Sequence, residues 1–174
     1  LDAGADPNDV LSDGQSVLVV SAANANWEVA GYLLDRGADP NLAAAGWNAL
    51  HQTVRTRRMN VGFGAPGPIP SGSVDSIDVI KKLLSHGVDV NARMTAKPPT
   101  KGTYDYNYMS LVGATPFFLA VKAADTAMMR LLLDHGADPN AKNRVYELGA
   151  VFVCRAGVWC GVQEDEDAEV EYDG

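Results

Sequence analysis

A short segment that occurs four times constrains this chain more than any other feature of its sequence. It reads LDHGADPN at residues 133–140, and near-copies stand at residues 1–8, 34–41 and 84–91. Each copy is typical of the end of an apolar helix, followed by a glycine that stops the helix and a tight acidic turn. Internal repeats fix the architecture of a chain before any single residue does.

The spacing of these corners predicts the size of the repeating unit. The interval from Gly4 to Gly37 is one period of about 33 residues, which is typical of a repeat that contains one turn and two helices. The intervals from Gly37 to Gly87 and from Gly87 to Gly136 are each about half as long again. Each longer interval therefore holds one unit and an extra segment of about half a unit.

A glycine and a short helix opener follow each of three corners. The openers read GQSVLV at residues 14–19, GWNALH at 46–51 and GATPFFLA at 113–120. They resemble the G-x-T-P-L-H-x-A-A opener of ankyrin repeats, because Thr115 and Pro116 keep its cap and first-turn proline and His51 keeps its histidine. The resemblance implies an all-α ankyrin-repeat solenoid of stacked helix-loop-helix units with projecting β-turn or hairpin fingers. It also implies protein binding on an extended concave surface.

The repeat register predicts one ankyrin-repeat domain over residues 1–174. Its units are a partial repeat at 1–8, repeats at 9–41, 42–91 and 92–140, and a degenerate, truncated repeat at 141–174. A Gly- and Pro-rich insertion at about 59–74 interrupts the second repeat, and a long finger occupies about 92–112 of the third. The insertions are similar to those of certain bacterial ankyrin arrays. Because the chain starts and stops inside repeats, we expect it to be a fragment.

Apolar residues at helical spacing predict two helices in each complete repeat. We expect helices at about 17–23, 27–35, 48–57, 115–123 and 126–134, and a further helix that starts at Val74 or Asp75. Ser16 is placed to cap the first helix. Val29 and Leu33 are expected on the buried face of the second. The aspartates of the corners are expected to bond their own turns.

No set of residues in the sequence indicates catalysis or a cofactor. The sequence contains no G-x-S-x-G, Walker or H-E-x-x-H motif. His86 and His135 each precede a helix-stopping glycine, where an imidazole can bond the last carbonyl groups. The ankyrin resemblance places the ring of His51 against neighbouring turn backbone. Cys154 and Cys160 fit neither a C-x-x-C redox pair nor half of a zinc site.

The charge of the chain does not indicate nucleic-acid binding. The net charge is −8, and seven of the acidic residues lie between Glu164 and Asp173, so that the rest of the chain is nearly neutral. Neither part is the basic surface that phosphates require. The acidic segment either attracts a basic partner or is a solvated loop. No apolar run is long enough to span a membrane. We expect a monomer, and the compartment stays open.

A row of tyrosines in the finger is the first candidate for partner binding. Tyr104, Tyr106 and Tyr108 alternate with other residues, which places their rings on one side of an extended strand. Tyrosine is rigid and amphipathic and is common at binding hot spots. The alternative is that these rings pack the finger onto its own repeat.

Four further candidates follow from the resemblance. Gln15 and Trp47 stand just before the helix opener, at a position that points toward the concave groove in ankyrin repeats. We expect Trp47 to be exposed there, with packing into the core as the alternative. Arg55 and Lys122 stand at the ends of the first helices of two repeats, where they would line the same groove.

These candidates lead to three hypotheses of function. The first is a non-catalytic protein-interaction module that presents a rigid groove and a Tyr-rich finger. The second is a targeting or substrate-binding arm of a larger enzyme whose catalytic domain lies outside these residues. The third is a ligand or metal site built by the two insertions.

Overall fold

The computed structural model describes residues 4–58, 68–98 and 111–141. These ranges contain the helices α1 (Val17–Ala23), α2 (Trp27–Asp35), α3 (Ala49–Arg57), α4 (Ser76–Ser85), α5 (Pro116–Lys122) and α6 (Thr126–Asp134). The β-type pairing in the described ranges is limited to isolated backbone pairs such as the antiparallel bridge between Val10 and Ser16. The predicted all-α class is therefore confirmed.

Side-chain caps set the first residue of each inner helix. Ser16 Oγ accepts a hydrogen bond from Val19 N at 3.2 Å, and Thr115 Oγ1 accepts one from Phe118 N at 3.2 Å. Asn48 caps α3 in the same way. These residues satisfy backbone N–H groups that have no partner inside the helix. The bounds predicted for α1, α2 and α6 are confirmed. Helices α3 and α5 begin one residue later than predicted, and α4 begins at Ser76 and not at Val74 or Asp75, because their caps lie outside the helix. Helix α5 also ends one residue earlier than predicted.

The helices are arranged in two rows. The inner helices α1, α3 and α5 pack side by side, and each contacts its own outer partner, α2, α4 or α6. Helices α2 and α4 also pack against each other. Contacts limited to neighbouring units are the defining property of a solenoid. The core runs between the rows without a break and includes Leu18, Leu34, Leu50, Ile80, Leu83, Phe117, Phe118, Met128 and Leu132.

Each acidic corner bonds its own turn, as predicted. The Oδ1 atoms of Asp6, Asp39, Asp89 and Asp138 accept hydrogen bonds from the backbone N–H of the asparagine two residues later, at 2.8 to 2.9 Å. The glycine that precedes each of these corners has a positive φ, between 77° and 91°. Residues with a side chain rarely adopt this backbone conformation, which explains the glycine in every copy.

An asparagine in each corner also bonds the corner of the following repeat. The Oδ1 atoms of Asn8, Asn41 and Asn91 accept from the backbone N–H groups of Asp39, Asp89 and Asp138 at 2.7 to 2.8 Å. Their Nδ2 groups donate to the carbonyl oxygens of Gly37, Gly87 and Gly136. We call this pair of bonds the asparagine clamp. The same clamp spans the shortest interval and both longer intervals, so the corners are successive members of one stack.

Val29 does not lie on a buried face, contrary to the prediction. It is 49% exposed, whereas Val79 and Met128 at the corresponding positions of α4 and α6 are 1% and 0% exposed. The spacing within α2 is helical, but α2 belongs to the first helix pair of the described residues, whereas α4 packs against the preceding outer helix α2. Burial at this position therefore depends on a preceding repeat and not on the helix that carries the residue.

Candidate partner-binding surface

Arg55 and Lys122 occupy the same position in two neighbouring inner helices. Each lies seven residues after the residue that caps its helix, and both side chains are partly exposed. Helices α3 and α5 are in contact, and packed helices lie about 8–10 Å apart. The two cations therefore belong to one stripe across the inner row. Both side chains also interact with other groups of the protein.

Gln15 forms part of the turn that precedes α1 and is partly exposed. Its backbone N–H donates to Asp13 Oδ1 at 3.1 Å, and its Nε2 donates to Asp13 Oδ2 at 2.6 Å. The backbone bond, followed by the side-chain bond, lowers the pKa of Asp13 below its usual value. The turn thus presents a charged carboxylate beside a fixed amide.

Trp47 is not the exposed groove residue that was expected. Its side chain lies in the core and is only 5% exposed. In the next repeat, Thr95 N donates to the carbonyl oxygen of Gly46, the residue before Trp47, at 2.8 Å. This bond brings the root of the finger against the helix opener that carries Trp47. Within the described residues the indole Nε1–H has no hydrogen-bond partner, which is unusual for a buried donor.

The root of the finger is a short antiparallel pairing. Met94 N donates to Ala114 O at 2.9 Å, and Gly113 N donates to Met94 O at 2.7 Å. Leu111 and Met94, one on each arm, are each 2% exposed and join the core. Tyr104, Tyr106 and Tyr108 lie outside the described residues, as does the predicted turn at Lys101 and Gly102, so their role stays a prediction.

His51 is a buried positioning residue for the root of the finger. It is 1% exposed, and its Nε2 lies 3.0 Å from the carbonyl oxygen of Ala92, which it reaches as a donor in the neutral ring. Burial lowers the pKa of His51 from 6.5 to about 4, against the opposing effect of the Ala92 carbonyl. The ring is therefore neutral at physiological pH. The contact with turn backbone that the resemblance implied is confirmed.

His135 carries the bond that its place before a glycine predicts. Its Nδ1 lies 2.8 Å from the carbonyl oxygen of Leu131, one turn earlier in α6. It therefore caps the end of a helix and is exposed to solvent. In the described ranges, no three His, Cys, Asp or Glu side chains cluster closely enough to hold a metal ion.

The residues at the start of the first insertion form an ion cluster that the sequence did not reveal. Arg57 Nε and Arg58 Nε lie 2.8 and 3.2 Å from Asp125 Oδ2, and the Asp125 side chain is only 3% exposed. Asp125 Oδ1 also accepts from Met128 N and caps α6. Arg57 Nη1 donates to Ser76 Oγ at 2.9 Å. One arginine thus joins the starts of α4 and α6.

The residues at the end of the same insertion contact the preceding repeat. Ser73 N donates to Glu28 Oε1 at 2.9 Å, and Ser71 Oγ donates to Asn26 Oδ1 at 3.2 Å. The two ends of the insertion therefore bond the repeats on either side of it. The position of Asp125 before α6 is a sequence signal for a helix cap. Nothing in the sequence indicates that this aspartate also pairs with Arg57, 68 residues earlier.

The geometry defines a repeat solenoid with capped helices, clamped corners and projecting turns. Residues 13–44 and 112–144 match the family model described as the ankyrin repeat. The chain therefore contains ankyrin repeats, and its fold is an ankyrin-repeat solenoid. Ankyrin repeats are in general protein–protein interaction modules.

Two curated proteins are similar to most of the chain. The ankyrin repeat protein FPV014 of fowlpox virus (strain NVSL) is 31% identical over 134 residues, which are 76% of this chain and 23% of that protein. The ankyrin repeat protein FPV232 of the same virus is 29% identical in an alignment 149 residues long, which covers 74% of this chain and 27% of that protein. The chain thus spans about a quarter of these relatives. Both are viral, so they do not support the bacterial resemblance.

No helix among the described residues combines the length and the apolar composition that crossing a membrane requires.

Proposed function

We propose that the chain binds a partner protein through the concave side of the solenoid. The surface consists of the inner-helix ends with Arg55 and Lys122, the turn with Gln15, and the finger with its tyrosines. The equivalent positions of the two cations on adjacent helices carry this proposal, because a stripe of partly exposed positive charge crosses the repeats. A partner with acidic side chains at a matching interval would complement that stripe.

The rigidity of the turns and inner helices supports the proposal that this surface binds a partner. Caps, asparagine clamps and the His51–Ala92 contact fix the turns relative to the helices. A surface that is already ordered loses little conformational entropy on binding, so more of the contact energy contributes to affinity. In this proposal Trp47 supports the root of the finger from within the core, and Tyr104, Tyr106 and Tyr108 provide the aromatic contacts. The chain acts without catalysis, without nucleic acid and as a monomer.

Charge reversal on the inner row tests the proposal. The wild-type chain is immobilised, and proteins captured from a lysate of cells that naturally express it are identified and measured by mass spectrometry. The double variant Arg55→Glu/Lys122→Glu is expected to lose at least about tenfold of the specific partner. The matched control is Lys81→Glu/Arg130→Glu, which makes the same charge change at exposed positions of the outer helices.

The control separates specific contact from general electrostatics. If both double variants lose the partner equally, the inner row is not the binding surface. If neither loses it, the cation stripe has no role in binding. Replacement of all three finger tyrosines by alanine in a further variant measures the contribution of the finger independently of the stripe.

A further inference from the structure

A second surface lies on the outer row, away from the groove described above. A cleft of about 390 Å³ lies at the surface where α2 and α4 pack together, and both helices contribute side chains to its walls. Its floor and walls include the apolar residues Trp27, Val74 and Val79. Trp27 and Val79 are core residues, 2% and 1% exposed, so they form the base on which the cleft rests.

The cleft is open because α2 has a glycine where the other outer helices have long side chains. In the register of the corner glycines, Gly31 corresponds to Lys81 of α4 and Arg130 of α6. A Cβ atom at Gly31 would have only Lys82 Nζ and Cδ within 4 Å, at 3.8 and 4.0 Å. The position therefore leaves room for a side chain that this protein does not itself provide.

Tyr32 forms an ordered aromatic wall of the cleft. It is 44% exposed, which is a large exposed fraction for an aromatic side chain beside the core. The guanidinium carbon of Arg36 lies 4.9 Å from the centre of its ring, a distance typical of a cation–π contact. This contact orients the ring while leaving much of its surface accessible.

The first insertion closes one end of the cleft. Ser73 N donates to Glu28 Oε1 at 2.9 Å, and Val74 continues into the lining. Gly72 has a φ of +85°, and a Cβ atom there would collide with the Glu28 carboxylate. At the other end Lys82 Nζ lies 2.6 Å from Asp35 Oδ2. These two contacts mark the ends of the cleft along the stack.

The charged groups of the lining are mostly acidic. Glu28, Asp35 and Asp78 contribute three carboxylates, and Lys82 contributes one ammonium group, which gives a formal charge of −2. Lys82 is paired with Asp35, whereas Glu28 and Asp78 accept hydrogen bonds from the backbone N–H groups of Ser73 and Asp75 and keep their negative charge. The guanidinium group of Arg36 on Tyr32 is a further positive charge beside this lining. An apolar floor with carboxylates at its mouth fits a long cationic side chain, whose methylene groups are buried while its head remains at the surface.

We propose that this cleft binds a basic segment of a partner protein, with an arginine side chain inserted over Gly31. The arginine stem lies against Trp27, Tyr32 and Val79, and its guanidinium group bonds the carboxylates of Glu28 and Asp78. Guanidinium matches a carboxylate with two parallel hydrogen bonds, which favours arginine over lysine. The site goes beyond the proposed function because it uses the opposite side of the stack and the opposite charge.

A pair of short peptides tests this inference on the full chain. The probe is an N-acetylated, C-amidated pentapeptide of alanine, leucine, arginine, leucine and alanine, and its counterpart has glutamate in place of arginine. Binding is followed by amide chemical shifts in ¹⁵N-labelled protein. The arginine peptide is expected to shift the amides of Gly31 and Val79, and the glutamate peptide to bind at least about tenfold more weakly.

Two kinds of variant make the outcome decisive. Gly31→Leu fills the cleft and is expected to weaken the arginine peptide at least about tenfold, whereas Arg130→Leu, the same new residue at the equivalent position of α6, leaves binding unchanged. Asp78→Asn, which keeps the shape of the side chain, is expected to weaken binding about threefold. Equal binding of the two peptides, or arginine-peptide binding that Gly31→Leu does not reduce, overturns the inference and leaves the inner-row proposal untouched.

Discussion

Asn41 Oδ1 accepts a hydrogen bond from the backbone N–H of Asp89 at 2.7 Å, across 48 residues of sequence. The same amide donates through Nδ2 to the carbonyl oxygen of Gly87 at 3.0 Å. Both bonds join one repeat to the next, and they do so although the first insertion lies between the two corners. The side chain of one asparagine therefore fixes the geometry of the stack where the chain makes its longest detour.

Replacement of Asn41 by alanine is expected to reduce the free energy of unfolding by about 1–3 kcal/mol. The estimate is the loss of two hydrogen bonds, each contributing about 0.5–1.5 kcal/mol net. Urea denaturation followed by circular dichroism measures it. Asn24→Ala is the matched control, because the Asn24 side chain bonds Val20 O in its own repeat. Equal losses in the two variants would show that the clamp adds nothing beyond a local bond.

Alanine substitutions at two glycines with left-handed backbone conformation distinguish the cost of turn strain from the cost of disturbing the finger. Gly37 has a φ of +87° with open space around a Cβ atom, so Gly37→Ala is expected to cost about 1–2 kcal/mol from conformation alone. Gly46 has a φ of +97°, and its Cβ would lie 2.7 Å from Ala96 N and 2.6 Å from Ala96 Cβ. Gly46→Ala is expected to cost about 1–3 kcal/mol more, because the finger root must move.

Thermal and urea unfolding of both glycine variants provide the comparison. The fluorescence of the folded Gly46→Ala variant adds a structural readout, since movement of the finger root exposes Trp47 and shifts its emission to longer wavelength. Gly37→Ala leaves that emission unchanged. If the Gly46→Ala variant is as stable as Gly37→Ala and its emission is unchanged, the contact between the helix opener at Gly46 and the finger is contradicted.

The helices and corners could be predicted because their causes are local and occur several times. Ser16, Asn48 and Thr115 cap helices through bonds to residues only three positions away, and Asp39 bonds a backbone group two positions away. Once the register was assigned, the stack followed from the same repeated corner.

The features that could not be predicted depend on residues far apart in sequence. Trp47 was expected to be exposed, but its burial is associated with a bond from Thr95 to Gly46, which single-repeat reasoning does not reveal. The pairing of Arg57 with Asp125 spans 68 residues and requires the first insertion to leave the stack intact. The cleft over Gly31 depends on the insertion end that returns against Glu28. The insertions, which have no counterpart in the regular repeat, create these contacts.

Removal of the Asp125 carboxylate is expected to cost about 3 kcal/mol or more of stability. Asp125→Ala deletes the cap of α6 and leaves Arg57, whose side chain is 20% exposed, without its 2.8 Å partner. Breaking a buried ion pair from one side costs about 3–5 kcal/mol, and an exposed pair contributes less than about 1 kcal/mol. Asp35→Ala, which breaks the surface pair with Lys82, is therefore the control. Similar losses in urea denaturation would show that burial of Asp125 carries no added energy.

The buried ring of His51 predicts a specific dependence of stability on pH. Its pKa is about 4 in the folded protein and 6.5 as the model value, so that the unfolded chain binds the extra proton between these values. The stabilisation from the neutral ring is complete above pH 6.5 and is lost as the pH falls toward 4. At about 1.4 kcal/mol per pKa unit, His51 is expected to account for about 2–3 kcal/mol of the stability lost between pH 7 and 4.5.

Urea denaturation of the wild type and of His51→Gln at both pH values isolates this contribution. Glutamine cannot take up the proton, so the variant is expected to be less stable at pH 7 but to lose about 2–3 kcal/mol less on acidification. His86→Gln, the same change at an exposed histidine, is the matched control. The pKa values of Asp13 and Asp75 are lowered from 3.8, so these two carboxyl groups affect the stability mainly at a pH below the interval from 7 to 4.5. If His51→Gln loses as much stability as the wild type between pH 7 and 4.5, protonation of the His51 ring does not account for the loss.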